Sequence, residues 1–288
     1  MPPAVEEVKQ VALAVKDRSK AHNAPIFAAA IAFFAFLALI PALTGLITSY
    51  GIIADPDDIA DQLGDVLEST PESTRTFLID QMTTIADGAG GALGAGLAIS
   101  TLLALFSASG AVANLIKALN IAYNYAENRK PWSLRARALS LTLGGVLVLS
   151  TLVFTMSVLP RILDEINAGT AVETLINIGR LPLLAVLLVV ALSALYQLGP
   201  DHSGNGRDLT WRPFTVGAAV AMVLFGLLSV LFTFYTDNFS SYGETYGPLA
   251  TIVVLLLWFQ LSALAVIIGA EVDSERRDRH LPAGTEAA

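Results

Sequence analysis

The chain has 288 residues, of which 54% are hydrophobic and only 15% charged, whereas a soluble domain carries about 25% charged residues. It has no cysteine and three histidines, His22, His202 and His280, all outside the apolar runs; disulfides, thiolate metal centres and iron–sulfur clusters are excluded, and no metal, other cofactor or catalytic residue is expected. The net charge of −8 is local, because nine acids and one base (Arg75) lie between Tyr50 and Ala92 while 16 acids and 16 bases balance elsewhere.

Residues 1–23 are polar, with Val5, Val8, Ala12 and Val15 at helical spacing and Lys9, Lys16 and Lys20 beside them. This predicts either a short helix lying on an anionic leaflet or a solvated tail. The first apolar run is too long for a signal-peptide core, and no small-residue cleavage site follows it. A first span is expected over about 25–48. Pro41 inside it removes one backbone hydrogen bond and predicts a kink, either a hinge or a tolerated membrane proline.

Residues 49–91 form the acidic loop. Asp55-Pro56 and Thr70-Pro71-Glu72 each read as a helix start, so two short amphipathic helices are expected, with their acids on a solvated face. The second span is expected over about 92–122. At 100° per residue Ser107, Asn114, Lys117, Asn120 and Asn124 fall in one broad sector. Lipid cannot satisfy amides, so this stripe faces either a water-filled path or a hydrogen-bonded seam between helices. The following loop carries Arg129, Lys130, Arg135 and Arg137 around Pro131-Trp132, a composition suited to an anionic membrane surface. Further spans are expected over about 138–159, 181–198 and 213–235.

The last span is the clearest. Pro248 to Ala270 is a run of 23 residues without charge, stopped by Glu271; as a helix it reaches roughly 34 Å, enough for a hydrocarbon core of about 30 Å. Tyr242, Glu244 and Tyr246 form its outer mouth, and Gln260 lies near its middle. Glu271 meets the negative end of the helix dipole and needs a cationic partner, for which Arg135 or Arg137 is expected. Residues 276–288 are expected to be a disordered tail.

The expected fold is therefore an all-α, polytopic integral membrane protein, with residues 1–275 as a single six-helix domain. Lysine and arginine set its orientation: the amino-terminal segment, the loops after spans two and four, and the tail hold 13 of them, and the alternate loops hold three. That puts both termini in the cytoplasm and the acidic loop outside.

Several stretches resemble one family. Ala28-Ala29-Ala30-Ile31-Ala32-Phe33-Phe34 followed by Pro41 is similar to its opening motif. Ala118-Leu119-Asn120 with Tyr123 and Arg129-Lys130-Pro131 is similar to its second block, and Leu195-Tyr196, Gly199-Pro200 and Trp211 to the run before its fifth helix. The closest likeness is Asn238-Phe239, Tyr242, Thr245-Tyr246-Gly247, Leu257-Trp258 and Gly269-Ala270-Glu271. Together these resemble the YihY/virulence factor BrkB family of bacterial inner-membrane proteins over roughly residues 20–275. Pro248 departs from the serine usual after the Tyr-Gly pair, and Asp273 from a common asparagine. The resemblance implies six helices with cytoplasmic termini and a multi-pass place in the bacterial plasma membrane. A ribonuclease label once attached to the family implies clustered acids or histidines; here the histidines are scattered and most acids lie in the outer loop.

The expected function is that of a transporter or lipid translocase acting on an anionic lipid-like or envelope substrate, not an enzyme. Six helices inserted amino-terminus inside divide into three plus three. If the halves are related they must be inverted, as in many secondary transporters, but no sequence repeat links them and the point is topological only. No span carries the buried acid–base ladder of a proton-coupled carrier, and no charged ring or filter of a channel is readable. The basic residues of the inner face (Arg129, Lys130, Arg135, Arg137) either hold an anionic headgroup or only set topology. The alternative is a non-transporting scaffold or binding protein of an envelope complex. Membrane lipids are the expected partners, with an envelope protein or a second copy in the alternative; nucleic acid is not expected.

Overall fold

The computed structural model describes residues 3–53, 93–153, 155, 170–203, 211–238 and 248–280. Seven helices carry nearly all of them: α1 (Pro3–Ala21), α2 (Ala24–Ile53), α3 (Leu93–Ala122), α4 (Pro131–Val153), α5 (Thr170–Leu198), α6 (Val216–Asn238) and α7 (Pro248–His280). Most of the acidic segment, and Tyr242, Glu244 and Tyr246 of the expected outer mouth, lie outside the described residues.

Five helices are long and apolar enough to cross a membrane, through Ala24–Ala42, Ala98–Ala122, Pro131–Leu152, Val216–Tyr235 and Ile252–Arg279; α5 contributes a shorter apolar run, Pro182–Leu198. A helix is the form such sequences must take, because it satisfies every backbone polar group within one segment. Prolines open α4 and α7 (Pro131, Pro248), where the missing N–H would have no helical partner in any case. The helix of α2 continues through Pro41 to Ile53, and that of α5 runs through Pro182.

Several boundaries differ from the sequence-based expectation, among them α2, which runs on to Ile53, and α5, which starts at Thr170. The stretch expected as a basic loop forms the first turns of α4, so Arg135 and Arg137 are helical. Residues 276–280, expected within a disordered tail, continue α7 to His280. Hydropathy marks the end of an apolar run, but charges can extend a helix when they pair along it: Arg277 meets Asp273 at 2.8 Å and Arg279 meets Glu275 at 2.8 Å, each one turn apart.

The helices form a ring. α2 packs chiefly on α3 and also on α7, α7 on α6, α3 on α4, and α5 joins α4 to α6; α1 lies against the last turns of α7. Two apolar clusters hold it. One joins Ala24, Ala28 and Ile31 of α2 to Ala111 and Ala118 of α3 and Ala263 and Ile267 of α7. The other joins Leu119 and Ala122 of α3 to Val189 and Tyr196 of α5, Ala218 and Ala221 of α6 and Ala270 of α7. Small residues dominate both, as expected where helices in lipid gain contact by close approach.

Packing is uneven along the bundle axis. In α7 no residue from Ile252 to Ser262 is buried, whereas from Ala263 to Ser274 all are buried except Leu264, Val266, Ile268 and Val272. None of the described side chains of α6 after Ala221 is buried, and none of those of α5 from Pro182 to Leu188. The helices thus close tightly at the end holding Glu271 and loosen toward the other.

Candidate functional site

The tight end is built around a carboxylate. Glu271, fully buried near the end of α7, accepts from Arg18 Nε at 3.1 Å and pairs with His22 Nδ1 at 2.6 Å. Arg18 also reaches Glu275 (3.4 Å) and Asp278 (3.2 Å), and donates to the Ala122 carbonyl (2.8 Å) and Ser274 Oγ (2.8 Å). One guanidinium therefore ties α1 to the ends of α3 and α7. Burial opposes its charge, but Glu271 and then Asp278 outweigh this and hold it above its ordinary value. α7 runs on past Glu271 to His280, so the helix dipole adds little there, and it is the burial of the carboxylate that makes it need a cationic partner.

Two further groups extend this cluster. Tyr123 donates to Asp273 at 3.0 Å, and the Arg277 guanidinium that pairs with Asp273 lies over the Tyr123 ring, 5.2 Å from its centre. Beside them, the loops after α3 and α5 are locked together through Asn120. Its amide donates to Glu127 (2.7 Å) and its oxygen accepts from the Asp201 N–H (2.7 Å). Arg129 grips Glu127 with two donors, at 2.7 and 2.8 Å, and donates to the Gly199 carbonyl at 3.1 Å. Asp201 accepts from the Asn128 N–H and from the N–H and hydroxyl of Ser203.

The electrostatics of these loops follow from those bonds. The Arg129 hydrogen bond holds Glu127 below the usual carboxylate range. Burial alone would push Asp201 up, but the Ser203 bonds, the Asn128 N–H and Arg129 outweigh it and hold Asp201 down to about 2. Burial pushes His202, which sits edge-on to Tyr125, below its ordinary 6.5. In both cases the unfolded chain binds the proton more readily than the folded one, so stability falls as pH falls. The His202 contribution is lost as pH drops from about 6.5 through its folded value, and the Asp201 contribution as pH drops from about 4 toward 2. The melting temperature in detergent is expected to be flat above pH 7 and to decline below it, and His202→Gln should remove the first part of that decline. An identical profile in the variant would refute this assignment.

The stripe expected on the second span does not converge on one space. Asn120 is buried in the loop lock. Asn114 donates to the Gly110 carbonyl of its own helix at 2.9 Å. Asn124 has φ 55° and caps α3: its N–H bonds the Ile121 carbonyl and the Tyr125 N–H bonds the Asn120 carbonyl, a helix stop that favours glycine or asparagine. Lys117 is exposed, Ser107 half-buried, and Gln260 half-buried in the loose part of α7. Of the inner-face residues, Arg129 belongs to the loop lock, Lys130 lies over Trp132, Arg137 is exposed and Arg135 reaches the Phe106 carbonyl. Glu271 takes Arg18 and His22 as partners, not Arg135 or Arg137. The sequence left only one hint of this: Arg18 is the single arginine among the lysines of its segment.

Long apolar helices in a ring, closed by a polar cluster at one end, define a polytopic helical membrane protein. A family model described as virulence factor BrkB matches residues 15–288, and the chain belongs to that family. It is 28% identical over 264 residues to the ribonuclease-like protein YfkH of Bacillus subtilis, covering 90% of this chain and 92% of that one. It is 29% identical over 251 residues to a UPF0761 membrane protein of Vibrio campbellii, covering 86% and 76%, and 29% identical over 263 residues to a UPF0761 membrane protein of Idiomarina loihiensis, covering 88% and 86%. No solved structure matches the chain. It is a multi-pass bacterial membrane protein.

Proposed function

We propose that this protein is a transporter or lipid translocase with an anionic, lipid-like substrate, and that it carries out no covalent chemistry and binds no nucleic acid. The observation that carries the reading is the change of packing along α7. Tight closure from Ala263 onward, with a loose ring around Ile252–Ser262, is what a path sealed at one end requires. In this reading the basic excess places the sealed end in the cytoplasm, and the Arg18–Glu271 cluster is its inner gate. Transport would alternate this state with one opened at the gate. Gln260, half-buried in the loose region, is the polar side chain placed to meet a headgroup on its way.

The scaffold reading draws on one observation of its own. The side-chain amides of Asn114 and Asn120 both have partners within the fold, as a dry seam would need. Proteoliposomes separate the two. With headgroup-labelled phosphatidylglycerol and a membrane-impermeant quencher, the translocase reading expects transbilayer movement about tenfold above protein-free vesicles, cut severalfold by Gln260→Leu. Movement no faster than in empty vesicles would sink it and favour the scaffold.

A further inference from the structure

The arginines among the described residues fall into two groups. Arg18, Arg129, Arg277 and Arg279 each meet a carboxylate. Arg135 meets none among the described residues, yet it is held in place: its Nη2 donates to the Phe106 carbonyl at 2.7 Å, and its guanidinium lies over the Phe106 ring, 4.2 Å from the centre. Two contacts orient the guanidinium, and the rest of its donor fork meets no acceptor among the described residues.

The position of this cation is unusual. Phe106 lies 16 residues before the end of α3 at Ala122, about 24 Å along the helix. Phe106 and Arg135 both fall within apolar runs long enough to cross a membrane, Ala98–Ala122 and Pro131–Leu152. Phe106 is 65% exposed, so the pair faces outward, toward lipid. A charge at such a place needs an anion or a route to water. A protein that supplies carboxylates to its other held arginines supplies none here.

The surroundings match one kind of anion. Toward the tight end, Lys117 lies three turns beyond Phe106 on the same face of α3, exposed. On the neighbouring segment Lys130 lies over the exposed Trp132 ring, 5.3 Å from its centre, a pairing typical of the headgroup level. Away from the tight end, Ile99 and Leu102 continue the Phe106 face of α3, and Leu139 and Leu143 continue the Arg135 face of α4, all exposed. Basic residues at one end of an apolar track fit a phosphate joined to acyl chains, and they fit a free anion poorly.

We propose that the outer surface between α3 and α4 is a binding site for an anionic phospholipid, its phosphate held by the Arg135 fork and its chains lying along Leu102 and Leu139. The site names a headgroup partner for the reading above and depends only on membrane embedding, not on translocation. Guanidinium and phosphate match in planar, two-pronged fashion, so arginine and lysine are not equivalent at this position.

The test is native mass spectrometry of the full chain in mild detergent, offered equal phosphatidylglycerol and phosphatidylcholine. The unmodified protein should retain phosphatidylglycerol about tenfold over phosphatidylcholine, a preference of about 1.4 kcal/mol. Arg135→Gln should bring the two near parity, Arg135→Lys should keep part of the preference, and Arg276→Gln, at an exposed cation on the last turns of α7, should keep all of it. Phe106→Leu, at an exposed position where folding is undemanding, should lower it two- to threefold by freeing the guanidinium. Equal retention of both lipids by the unmodified protein, or a full preference in Arg135→Gln, overturns the site. Absent flux with the preference intact would overturn translocation and leave the site standing.

Discussion

Glu271→Ala is expected to destabilise the protein by about 3–5 kcal/mol, the range for removing one partner of a buried ion pair. The carboxylate is fully buried, and its loss leaves Arg18, one-fifth exposed, and His22 facing an apolar gap. Arg18 keeps weaker contacts to Glu275 and Asp278 and two neutral acceptors, which favours the lower end of the range. Glu271→Gln should cost less, because its amide oxygen still accepts from one donor. The clamp also makes a structural prediction. α1 joins α2 through Asn23, whose φ is 54°, and of the described polar side chains near that joint Arg18 and His22 are the ones that hold α7. In Glu271→Ala, α1 should therefore become the first site of proteolysis while the spans stay intact. The double variant Arg18→Ala/Glu271→Ala should cost less than the sum of the singles, because each single leaves the other charge stranded. Unfolding followed in detergent, with limited digestion alongside, measures both effects. A Glu271→Ala protein as stable as the parent, with α1 still protected, would show that this carboxylate does not hold the end of the bundle.

The need for that clamp was legible in the sequence, and its identity was not. Read as the stop of an apolar run, Glu271 called for a cation on dipole grounds; α7 in fact continues to His280, and burial is the reason the partner is needed. Nothing local says that the cation lies 253 residues away, on a segment whose periodicity fits a membrane surface equally well. The spans were readable for a similar reason: a run such as Pro248–Ala270 carries its fate in its own composition. Their ends were less so, because Arg277 and Arg279 look like a solvated tail until Asp273 and Glu275 are placed one turn back. The stripe on α3 shows the other limit. Helical period gives the angle of Asn114, Asn120 and Asn124 about the axis, but not their depth or neighbours. Asn120 and Asn124 lie where α3 ends, and an ending helix has carbonyls to cap and loops to hold. The Asn120 amide and the Asn124 backbone are used for that work, while the Asn114 amide bonds a carbonyl of its own helix. Arg135 was read as a basic residue beside a membrane surface, and the Phe106 contact that orients it was not legible because it depends on how α4 packs against α3.

Gly269→Ala is expected to be among the most damaging single-methyl changes at the described glycines. A Cβ at Gly269 would stand 2.5 Å from the Gly217 carbonyl oxygen, 2.5 Å from the Tyr196 hydroxyl and 2.6 Å from the Ala221 Cβ. A Cβ at Gly217 would in turn collide with the Gly269 carbonyl and stand 2.5 Å from the Asp273 Cβ. Here α6 and α7 meet backbone to backbone, and a backbone oxygen cannot step aside as a side chain can. The helices must separate, and the Tyr196 hydrogen bond to the Val266 carbonyl, 2.6 Å, goes with them at about 1 kcal/mol. Overpacking by one carbon costs about 1–3 kcal/mol where side chains can adjust, so the upper end or beyond is expected here. Alanine's higher helix propensity returns only about 1 kcal/mol. Gly144→Ala and Gly226→Ala are the matched controls, because a Cβ at either meets nothing within 4 Å; they should be neutral or slightly stabilising. Gly110→Ala should fall between, since its obstacle is the Phe34 ring at 2.8 Å, which can tilt. Melting temperatures of the four variants in one detergent would give this order directly. If Gly269→Ala and Gly226→Ala melt alike, α6 and α7 do not cross at these two glycines, and the tight closure of that end has some other basis.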